Sequence, residues 1–341
     1  MSNTSSLESS LNSHNCSENC NAVALNTNSS CPALSVEEMR TIRALNDAIP
    51  IHMTTVFSLA LVTGLPGSVL ALVTFSRMTL RPTTLYMCML AVSDFLYLSI
   101  TSPLMYKASE RHFTYNGMLL LIAFGRIFQC FSHWTLVLIC LERFVSVRFP
   151  FKKSEIYTIK NSVLSSCLAL VLSTAPFVMV IINMFNESLQ LHKIETLVFN
   201  LDYIIVPGCL IVILTSVTAF FLRRGLRRRN QITSDASRGS SNTETELTRM
   251  MFLTVICFIV FVFPFGGFLI VESTMTRWSL NRFCPLAGTI YSFFVKATNS
   301  YSFLNHAVNV YIYLACSRGF RKLSLRLVCC RQRLRGDSSS A

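Results

Sequence analysis

Charged side chains are scarce in this 341-residue chain: they make up 14% of it, whereas about 25% is usual in a soluble globular domain. Hydrophobic residues make up 52% of the chain, and its mean hydropathy is +0.49. Because so little polar surface cannot cover a water-soluble body, the composition excludes an ordinary soluble protein and favours a lipid bilayer as solvent. The chain also lacks an internal repeat, which weakens the interpretation as a transporter built from inverted repeats.

Seven apolar stretches are each long enough to cross a hydrocarbon layer of about 30 Å as a helix of about 20 residues. The first, fourth, fifth and sixth stretches contain no charged residue, and the charged residues in the second, third and seventh mark where function is expected. We therefore predict an all-α membrane protein with a seven-transmembrane helix bundle over residues 49–316. The stretches are residues 53–75, 84–106, 117–141, 163–182, 203–222, 250–271 and 286–315.

Lysine and arginine are spread unevenly over the two sides of this predicted bundle. The segments after the first, third, fifth and seventh stretches hold 21 of them, and the opposite side holds eight. Because cytoplasmic loops carry the excess of positive charge, we predict a multi-pass plasma-membrane protein with an extracellular N-terminus. The net charge of +13 then describes mainly a cytoplasmic face lying against anionic lipid, and nucleic-acid binding is not expected.

The segments outside the bundle have their own signals. Residues 1–48 are polar and are predicted to be a disordered, glycosylated extracellular tail. We expect a third cytoplasmic loop at about 223–247, an amphipathic eighth helix at 317–328 and a cytoplasmic tail at 329–341. All N-x-S/T glycosylation sequons fall on the predicted outer side, and they begin at Asn3, Asn15, Asn28 and Asn186.

Several short motifs follow one another in order along the predicted spans. They are LAVSD ending in Asp94, ERF at 142–144, Pro150, Pro207, Phe258 six residues before Pro264, and NVYIY at 309–313 followed by SRGFRK. In their order and spacing, over about residues 50–330, the chain resembles a rhodopsin-like (class A) G-protein-coupled receptor. Within that family it looks most like invertebrate neuropeptide receptors or divergent chemosensory receptors.

The chain departs from the usual pattern of that family at several positions, so it resembles a divergent member. Val262 stands where the tryptophan before the sixth-span proline is usual, and Val310 stands where the seventh-span motif usually has proline. Met118 replaces one cysteine of the usual extracellular bridge. An opsin is excluded, since Phe303 stands at the position of the Schiff-base lysine. The remaining departures are Ser68, Thr215 and Phe261.

Glu142 and Arg143 lie where the third predicted span reaches the cytoplasm. An arginine at such a buried edge needs a partner. The resemblance implies that Arg143 bridges Glu142 and Glu244 at rest, and that activation releases Arg143 to the G protein. The alternative is an interfacial charge pair that merely snorkels towards the headgroups. The resemblance assigns further roles in coupling and switching to Pro150, Phe258, Pro264 and Tyr313.

Asp94 lies near the middle of the second predicted span, where an isolated carboxylate is costly. The resemblance implies an allosteric Na⁺ bound by Asp94 with Ser132, Asn305 and Asn309, all of which carry oxygen. The alternative is a neutral, hydrogen-bonded Asp94 that holds helices together. His133 and His306 are interpreted as packing residues with a hydrogen bond rather than metal ligands.

Arg126 lies in the outer half of the third predicted span, seventeen residues before Arg143. With nearby lysines it would form an electropositive cavity for an anionic ligand group. The alternative is an internal salt bridge with Glu272 or Asp202. Gly125 stands near the position of the amine receptors' acid, which disfavours an amine ligand. The predicted ligand-binding residues are Lys107, Arg126, Gln129, Phe268, Glu272 and Lys296.

The cysteines outside the spans suggest two modifications. Cys31 and Cys284 face the predicted oxidising side and are the preferred disulfide pair, although Cys16 and Cys20 leave other pairings open. Cys329 and Cys330 follow the eighth-helix motif and suit palmitoylation.

Together these patterns predict a receptor rather than an enzyme, with no cofactor besides the allosteric Na⁺. An extracellular ligand, with a neuropeptide favoured, would activate a heterotrimeric G protein, and arrestin and a receptor kinase are further expected partners. One alternative is a chemosensory receptor for a small anionic molecule. The alternative from another class is a secondary transporter or channel, which would need polar residues threading the bundle.

Overall fold

The computed structural model describes residues 35–105, 115–185, 189–232, 238–274 and 285–336. Almost all of these residues are helical and none of them forms a strand, so the all-α prediction is confirmed. The helices are Val36–Ser76, Pro82–Met105, Tyr115–Arg148, Lys153–Ile156, Ile159–Leu172, Ala175–Phe185, Leu189–Asn200, Val206–Ile232, Arg238–Phe261, Phe263–Thr274, Pro285–Cys316 and Arg318–Gly336, with a π-helical turn at Leu201–Ile205.

Six stretches among the described residues are long and apolar enough to cross a membrane, and we number them as spans in chain order. The helix Pro285–Cys316 is also long enough, but it is more polar because it carries Lys296 and several amide and imidazole side chains. We call it the seventh span. The first six are Val36–Ser76, Pro82–Ser102, Leu119–Arg148, Ile159–Asn183, Ile194–Gly225 and Arg249–Val271.

The described residues fall into two compact units. Residues 35–48 and 285–293 belong to one unit, and both segments are helical. Residues 49–274 and 294–336, where described, belong to the other, which contains the hydrophobic core. Every site discussed below lies within this larger unit.

Three prolines coincide with interruptions of the spans, because a proline has no N–H for the carbonyl four residues earlier. Pro50 and Pro66, by contrast, lie within the continuous helix of the first span. Pro176 leaves the carbonyl of Leu172 without that donor, and the first helix of the fourth span ends at Leu172. Pro264 acts similarly in the sixth span, whose helix is interrupted at Val262. Pro207 directly follows the π-helical turn of the fifth span.

Three segment boundaries differ from the sequence prediction. Residues 36–48, which we expected in the disordered tail, are helical. Ser35 and Glu38 form a capping box at this start: Ser35 Oγ accepts from the Glu38 N–H at 3.2 Å, and Glu38 Oε2 accepts from the Ser35 N–H at 2.8 Å. The other part of the predicted tail lies outside the described residues.

The helices next to the predicted third loop and C-terminal tail are also longer than predicted. Val206–Ile232 and Arg238–Phe261 extend into the predicted third loop at 223–247 from both sides. The eighth helix, Arg318–Gly336, continues past residue 328 into the predicted tail. Arg and Leu are good helix formers and are frequent at 223–232 and 329–336, so propensity explains the extension there. It does not explain the helix at 238–247, where Gly, Ser, Asn and Thr predominate.

Two glycines allow spans to approach closely. A Cβ placed on Gly67 would lie 2.5 Å from Cγ1 of Val310, and a Cβ placed on Gly266 would lie 2.7 Å from Cγ2 of Ile204. The contact of Gly67 with Val310 joins the first and seventh spans. Val310 is the residue that stands where the family usually has proline. The contact of Gly266 with Ile204 packs the π-helical turn of the fifth span against the sixth.

Candidate functional site

Arg126 forms an ion pair at the outer end of the third span. Its Nη1 donates to Glu195 Oε1 at 2.5 Å, and Asn183 Nδ2 donates to Glu195 Oε2 at 2.8 Å. The guanidinium of Arg126 lies 4.8 Å from the centre of the Phe199 ring, within the range of a cation–π contact. Glu195 is buried, whereas the side chain of Arg126 retains 27% of its exposure. The pair therefore links the third, fourth and fifth spans at a site that is still accessible.

Arg126 thus has an internal salt bridge, as the alternative to the ligand cavity proposed, but its acid is Glu195 and not Asp202. Asp202 does not hold Arg126: its Oδ1 accepts from Trp134 Nε1 at 2.7 Å, at the turn where the fifth span changes to π-helical geometry. Glu195 was missed because it precedes the stretch that hydropathy assigned to the fifth span. The side chains of Lys107 and Glu272, the other predicted members of this site, lie outside the described residues.

The remaining predicted ligand-binding residues lie on three different spans. Gln129 is buried three residues beyond Arg126 on the third span. Phe268 of the sixth span stacks on Phe294 of the seventh, with ring centres 6.3 Å apart. Lys296 is half-buried on the seventh span. These residues thus remain predicted ligand contacts.

Asp94 is buried in the middle of the bundle and accepts three hydrogen bonds. Ser132 Oγ and His306 Nδ1 each donate to Asp94 Oδ1 at 2.8 Å. Asn309 Nδ2 donates to Asp94 Oδ2 at 2.7 Å. The second, third and seventh spans are therefore joined at one carboxylate, and His306 is a partner that the sequence analysis did not place there.

Asn305, the fourth predicted sodium ligand, is oriented towards a different group. Its Nδ2 lies 3.4 Å from Nε2 of His133. His133 Nδ1 donates to the backbone carbonyl of Tyr203 at 2.7 Å. In an α-helix that carbonyl would pair with the N–H of residue 207, which is a proline, so the carbonyl is available to His133. The tautomer of His133 follows: Nδ1 carries the proton, and Nε2 accepts from Asn305.

Four rings form a stacked series that we call the ring column: Phe199, Tyr203, His133 and His306. Successive ring centres are 5.0, 4.4 and 5.7 Å apart, and the planes of each pair differ by 17° or less. The column begins beneath the Arg126 guanidinium and ends at the imidazole that donates to Asp94. It therefore connects the outer ion pair to the polar centre of the bundle through the fifth, third and seventh spans.

Phe258 of the sixth span contacts this column from the side. Its ring is fully buried and meets the ring of His133 edge-on, with centres 4.8 Å apart. Val262, which replaces the usual tryptophan, is also fully buried but presents no ring. The aromatic contact between the sixth span and the bundle centre is thus made by Phe258 on His133.

Arg143 is held by a compact polar cluster near the C-terminal end of the third span. Arg143 Nη2 donates to Thr83 Oγ1 and lies 3.4 Å from Glu142 Oε2. Thr83 Oγ1 donates in turn to Glu142 Oε1 at 2.6 Å, and Lys153 Nζ lies 3.4 Å from the same oxygen. Glu142 is fully buried, and two bases and a hydroxyl surround its carboxylate. Thr83 and Lys153 are thus contacts of Glu142 and Arg143 that the sequence analysis missed.

Tyr157 closes the cluster from the loop between the third and fourth spans. Burial, with the nearby Tyr86 phenol and the carboxylate of Glu142, raises the pKa of Tyr157, so its phenol stays protonated at neutral pH. Pro150 lies in the turn between the third span and the short helix Lys153–Ile156. The loop therefore folds back onto the base of the third span.

A small cavity of about 30 Å³ lies beside Arg143. Its lining includes Phe258, Tyr313 and apolar side chains from five spans. Such a volume holds about one or two water molecules, so the spans are closed around the arginine. Tyr313 packs against Phe75 and Phe320, with ring centres 5.5 and 5.7 Å away, which fixes the seventh span to the first and the eighth helix.

The side chain of Glu244, the predicted second partner of Arg143, lies outside the described residues. Its neighbour Glu246 contacts the eighth helix instead: Glu246 Oε2 accepts from the Arg318 N–H at 3.2 Å, and Glu246 Oε1 lies 3.3 Å from Arg318 Nε. Within the described part of the chain, no group of three or more His, Cys, Asp or Glu side chains is suited to a metal ion. The predicted modification sites Asn3, Asn15, Asn28, Asn186, Cys31, Cys284, Cys329 and Cys330 also lie outside the described residues or side chains.

Comparison with known proteins gives the family of this chain. Residues 67–313 match the family described as "7 transmembrane receptor (rhodopsin family)", so the chain belongs to the rhodopsin-like, class A G-protein-coupled receptors. The predicted resemblance and the seven-helix bundle are confirmed. The chain is therefore a multi-pass membrane protein from a family of receptors, which leaves the transporter or channel alternative without support.

The chain is also similar to an individual receptor. The galanin-like G-protein coupled receptor npr-9 of Caenorhabditis elegans is 27% identical to it over 153 residues. The matched region covers 42% of this chain and only 36% of that relative. The similarity therefore extends to part of a receptor, and what npr-9 binds does not transfer with it.

Proposed function

We propose that this protein is a plasma-membrane receptor with an extracellular N-terminus that binds a peptide and activates a heterotrimeric G protein. The observation that carries the proposal is the ring column, which ends beneath Arg126 on one side and at His306 and Asp94 on the other. Arrestin and a receptor kinase are expected as regulatory partners.

The outer site supports a peptide in preference to a simple anion. The charge of Arg126 is already compensated by Glu195, so a small anion gains little by approaching it. A peptide offers both acceptors for the guanidinium and N–H donors for the carboxylate, so it can replace both halves of the ion pair. The similarity to a receptor named galanin-like, a name that refers to a peptide, agrees with this choice.

The ring column supports a route from this site to the bundle centre. Phe199 touches the Arg126 guanidinium, and Tyr203, four residues later, stacks directly on His133. A ligand that separates Arg126 from Glu195 changes what Phe199 packs against. Because the fifth span carries both rings, His133 and the sixth-span Phe258 would shift with it. Such a ligand biases an equilibrium between two packings of the same rings.

The polar cluster at Arg143 supports G-protein activation as the result of ligand binding. The arginine is bonded inside the protein and the cavity beside it holds no more than about two waters, as expected of a resting receptor. Activation would open this end of the bundle and release Arg143 from Thr83 and Glu142 to the G protein.

The test is a screen of synthetic peptides, both C-terminally amidated and free-acid, on cells that express the receptor with a promiscuous G protein. A parallel plate of small organic anions covers the chemosensory alternative. We expect a peptide to trigger G-protein dissociation, and we expect Arg126→Ala to lose that response at equal surface expression. Antibody binding to an N-terminal tag on intact cells checks the orientation.

Arg249→Ala is the matched control, because Arg249 is an exposed arginine far along the chain from the outer site. Its response to the same peptide should match the wild type. If the receptor responds to anions and to no peptide, it is a chemosensory receptor and the peptide proposal is wrong. If Arg126→Ala responds to the peptide with unchanged potency, the Arg126–Glu195 ion pair is not part of the ligand site.

A further inference from the structure

The surroundings of Asp94 provide a test of the predicted sodium site. A sodium ion, like other hard cations, needs several oxygen lone pairs directed at it. Around Asp94 the neighbouring groups instead direct protons at the carboxylate. The closest atoms of His306 and Asn309 are both nitrogens that donate, at 2.8 and 2.7 Å, and Ser132 Oγ donates as well. A cation at this face of the carboxylate would meet N–H groups, so these residues do not fit a sodium ion.

Asn305 also does not contribute as predicted. Its amide nitrogen faces His133, and its amide oxygen has no hydrogen-bond partner among the described residues. His133 is itself held by the Tyr203 carbonyl, so the side-chain position of Asn305 follows from the fifth-span turn. The amide nitrogen of this predicted ligand is thus committed to a different cluster, and only its oxygen is left unpaired.

His306 cannot easily move aside to admit an ion. Its ring is buried between the Tyr97 ring, 4.5 Å away, and the His133 ring, 5.7 Å away. Rotation of the imidazole away from Asp94 would break the tilted contact with Tyr97 and the stack on His133. Packing against these two rings therefore holds the hydrogen bond between His306 and Asp94 in place.

We propose that the Nδ1–H of His306 takes the place of a cation beside Asp94, so that the resting core of this receptor is assembled without sodium. The imidazole then makes the link between the second and seventh spans, and occupies space that a smaller side chain would leave to an ion and its waters. The sequence feature responsible is a histidine three residues before Asn309 of the NVYIY motif. The inference does not depend on the identity of the ligand or of the G protein.

The test measures thermal unfolding of the purified receptor in NaCl, KCl and choline chloride at equal ionic strength, without ligand or G protein. We expect the wild-type unfolding temperature to be the same in all three salts. His306→Ser removes the imidazole and leaves a hydroxyl, and we expect it to gain a saturable stabilisation that is specific to sodium. Asp94→Asn added to His306→Ser should abolish that gain.

His52→Ser is the matched control, because His52 is a half-buried histidine of the first span that contacts Tyr301 rather than Asp94. It should remain insensitive to sodium. Sodium-specific stabilisation of the wild type that Asp94→Asn removes would overturn the proposal. Insensitivity of both the wild type and His306→Ser would also overturn it, since His306 would then not be the residue that excludes the ion. If His306→Ser does not fold, His306→Asn serves the same comparison.

Discussion

The backbone carbonyl oxygen of Tyr203 lies 2.7 Å from Nδ1 of His133, a residue seventy positions earlier in the chain. The bond exists because Pro207 has no N–H to offer that carbonyl, and because the π-helical turn at Leu201–Ile205 brings Tyr203 over the third span. One proline therefore decides how the fifth span is attached to the centre of the bundle.

His133→Phe tests this attachment, since it keeps a ring in the column and removes both nitrogens. We expect lower stability, because the Tyr203 carbonyl and the Asn305 amide lose their partners, and a buried unsatisfied group costs about 1–3 kcal/mol. Thermal unfolding of the purified receptor in detergent measures the change. His52→Phe is the control. An unfolding temperature equal to that of the wild type would show that the hydrogen bond contributes nothing to stability.

Removal of either half of the Arg126–Glu195 pair should destabilise the resting receptor. We expect a coupling energy of about 1–3 kcal/mol, below the about 3–5 kcal/mol of a fully buried pair, because Arg126 is partly exposed. A double-mutant cycle of Arg126→Ala and Glu195→Ala, followed by thermal unfolding, gives the value. Strictly additive single effects would mean that the pair makes no energetic contribution.

Gly67→Ala should destabilise the contact between the first and seventh spans. The added Cβ would lie 2.5 Å from Val310 Cγ1, and overpacking of this kind costs about 1–3 kcal/mol. Val310→Ala in the same chain should restore stability by removing the methyl group in the way. Gly225→Ala is the control, since a Cβ there meets nothing within 4 Å. If Gly67→Ala is as stable as the wild type, the two spans are free to separate.

Much of the fold could be predicted from the sequence, because it rests on local properties of the chain. Seven apolar stretches and the order of the motifs led to the family that the comparison confirms. The helix ends were less predictable. The capping box at Ser35 and the helix propensity of the arginine-rich cytoplasmic stretches extend helices beyond the ends of the hydropathy signal.

The contacts within the sites were harder to predict, because they join residues that are distant in the chain. Glu195 and Thr83 lie 69 and 60 positions from the arginines that they contact, and no pattern connects them. The available signal was a histidine within an apolar span, which is a functional-site indication in its own right. Interpreting His133 and His306 only as packing residues therefore left the ring column unseen.

Glu244→Ala should raise ligand-independent signalling, if Glu244 shares Arg143 with Glu142 at rest. Glu246→Ala is the matched control two residues away. Its salt bridge with the exposed Arg318 is worth about 0–1 kcal/mol, so its basal signal should stay at the wild-type level. Basal G-protein dissociation at equal surface expression is the measurement. If basal signalling rises equally in both variants, the resting state is held by the contact with the eighth helix and not by Glu244.

The central claim is that Arg143 is a switch held at rest by Thr83, and nucleotide exchange tests it most directly. Thr83→Val keeps the shape of the side chain and removes the hydroxyl that contacts both Glu142 and Arg143. A hydrogen bond to a charged group contributes about 1.5–3 kcal/mol, so the open state should become roughly ten- to a hundredfold more populated. The measurement is the rate at which purified receptor in nanodiscs loads labelled GTP onto purified heterotrimers, without ligand. We predict faster loading by Thr83→Val than by wild type or Thr84→Val, and loss of that gain when Arg143→Ala is added. Equal loading by all four receptors, on every G-protein class tried, would contradict the account.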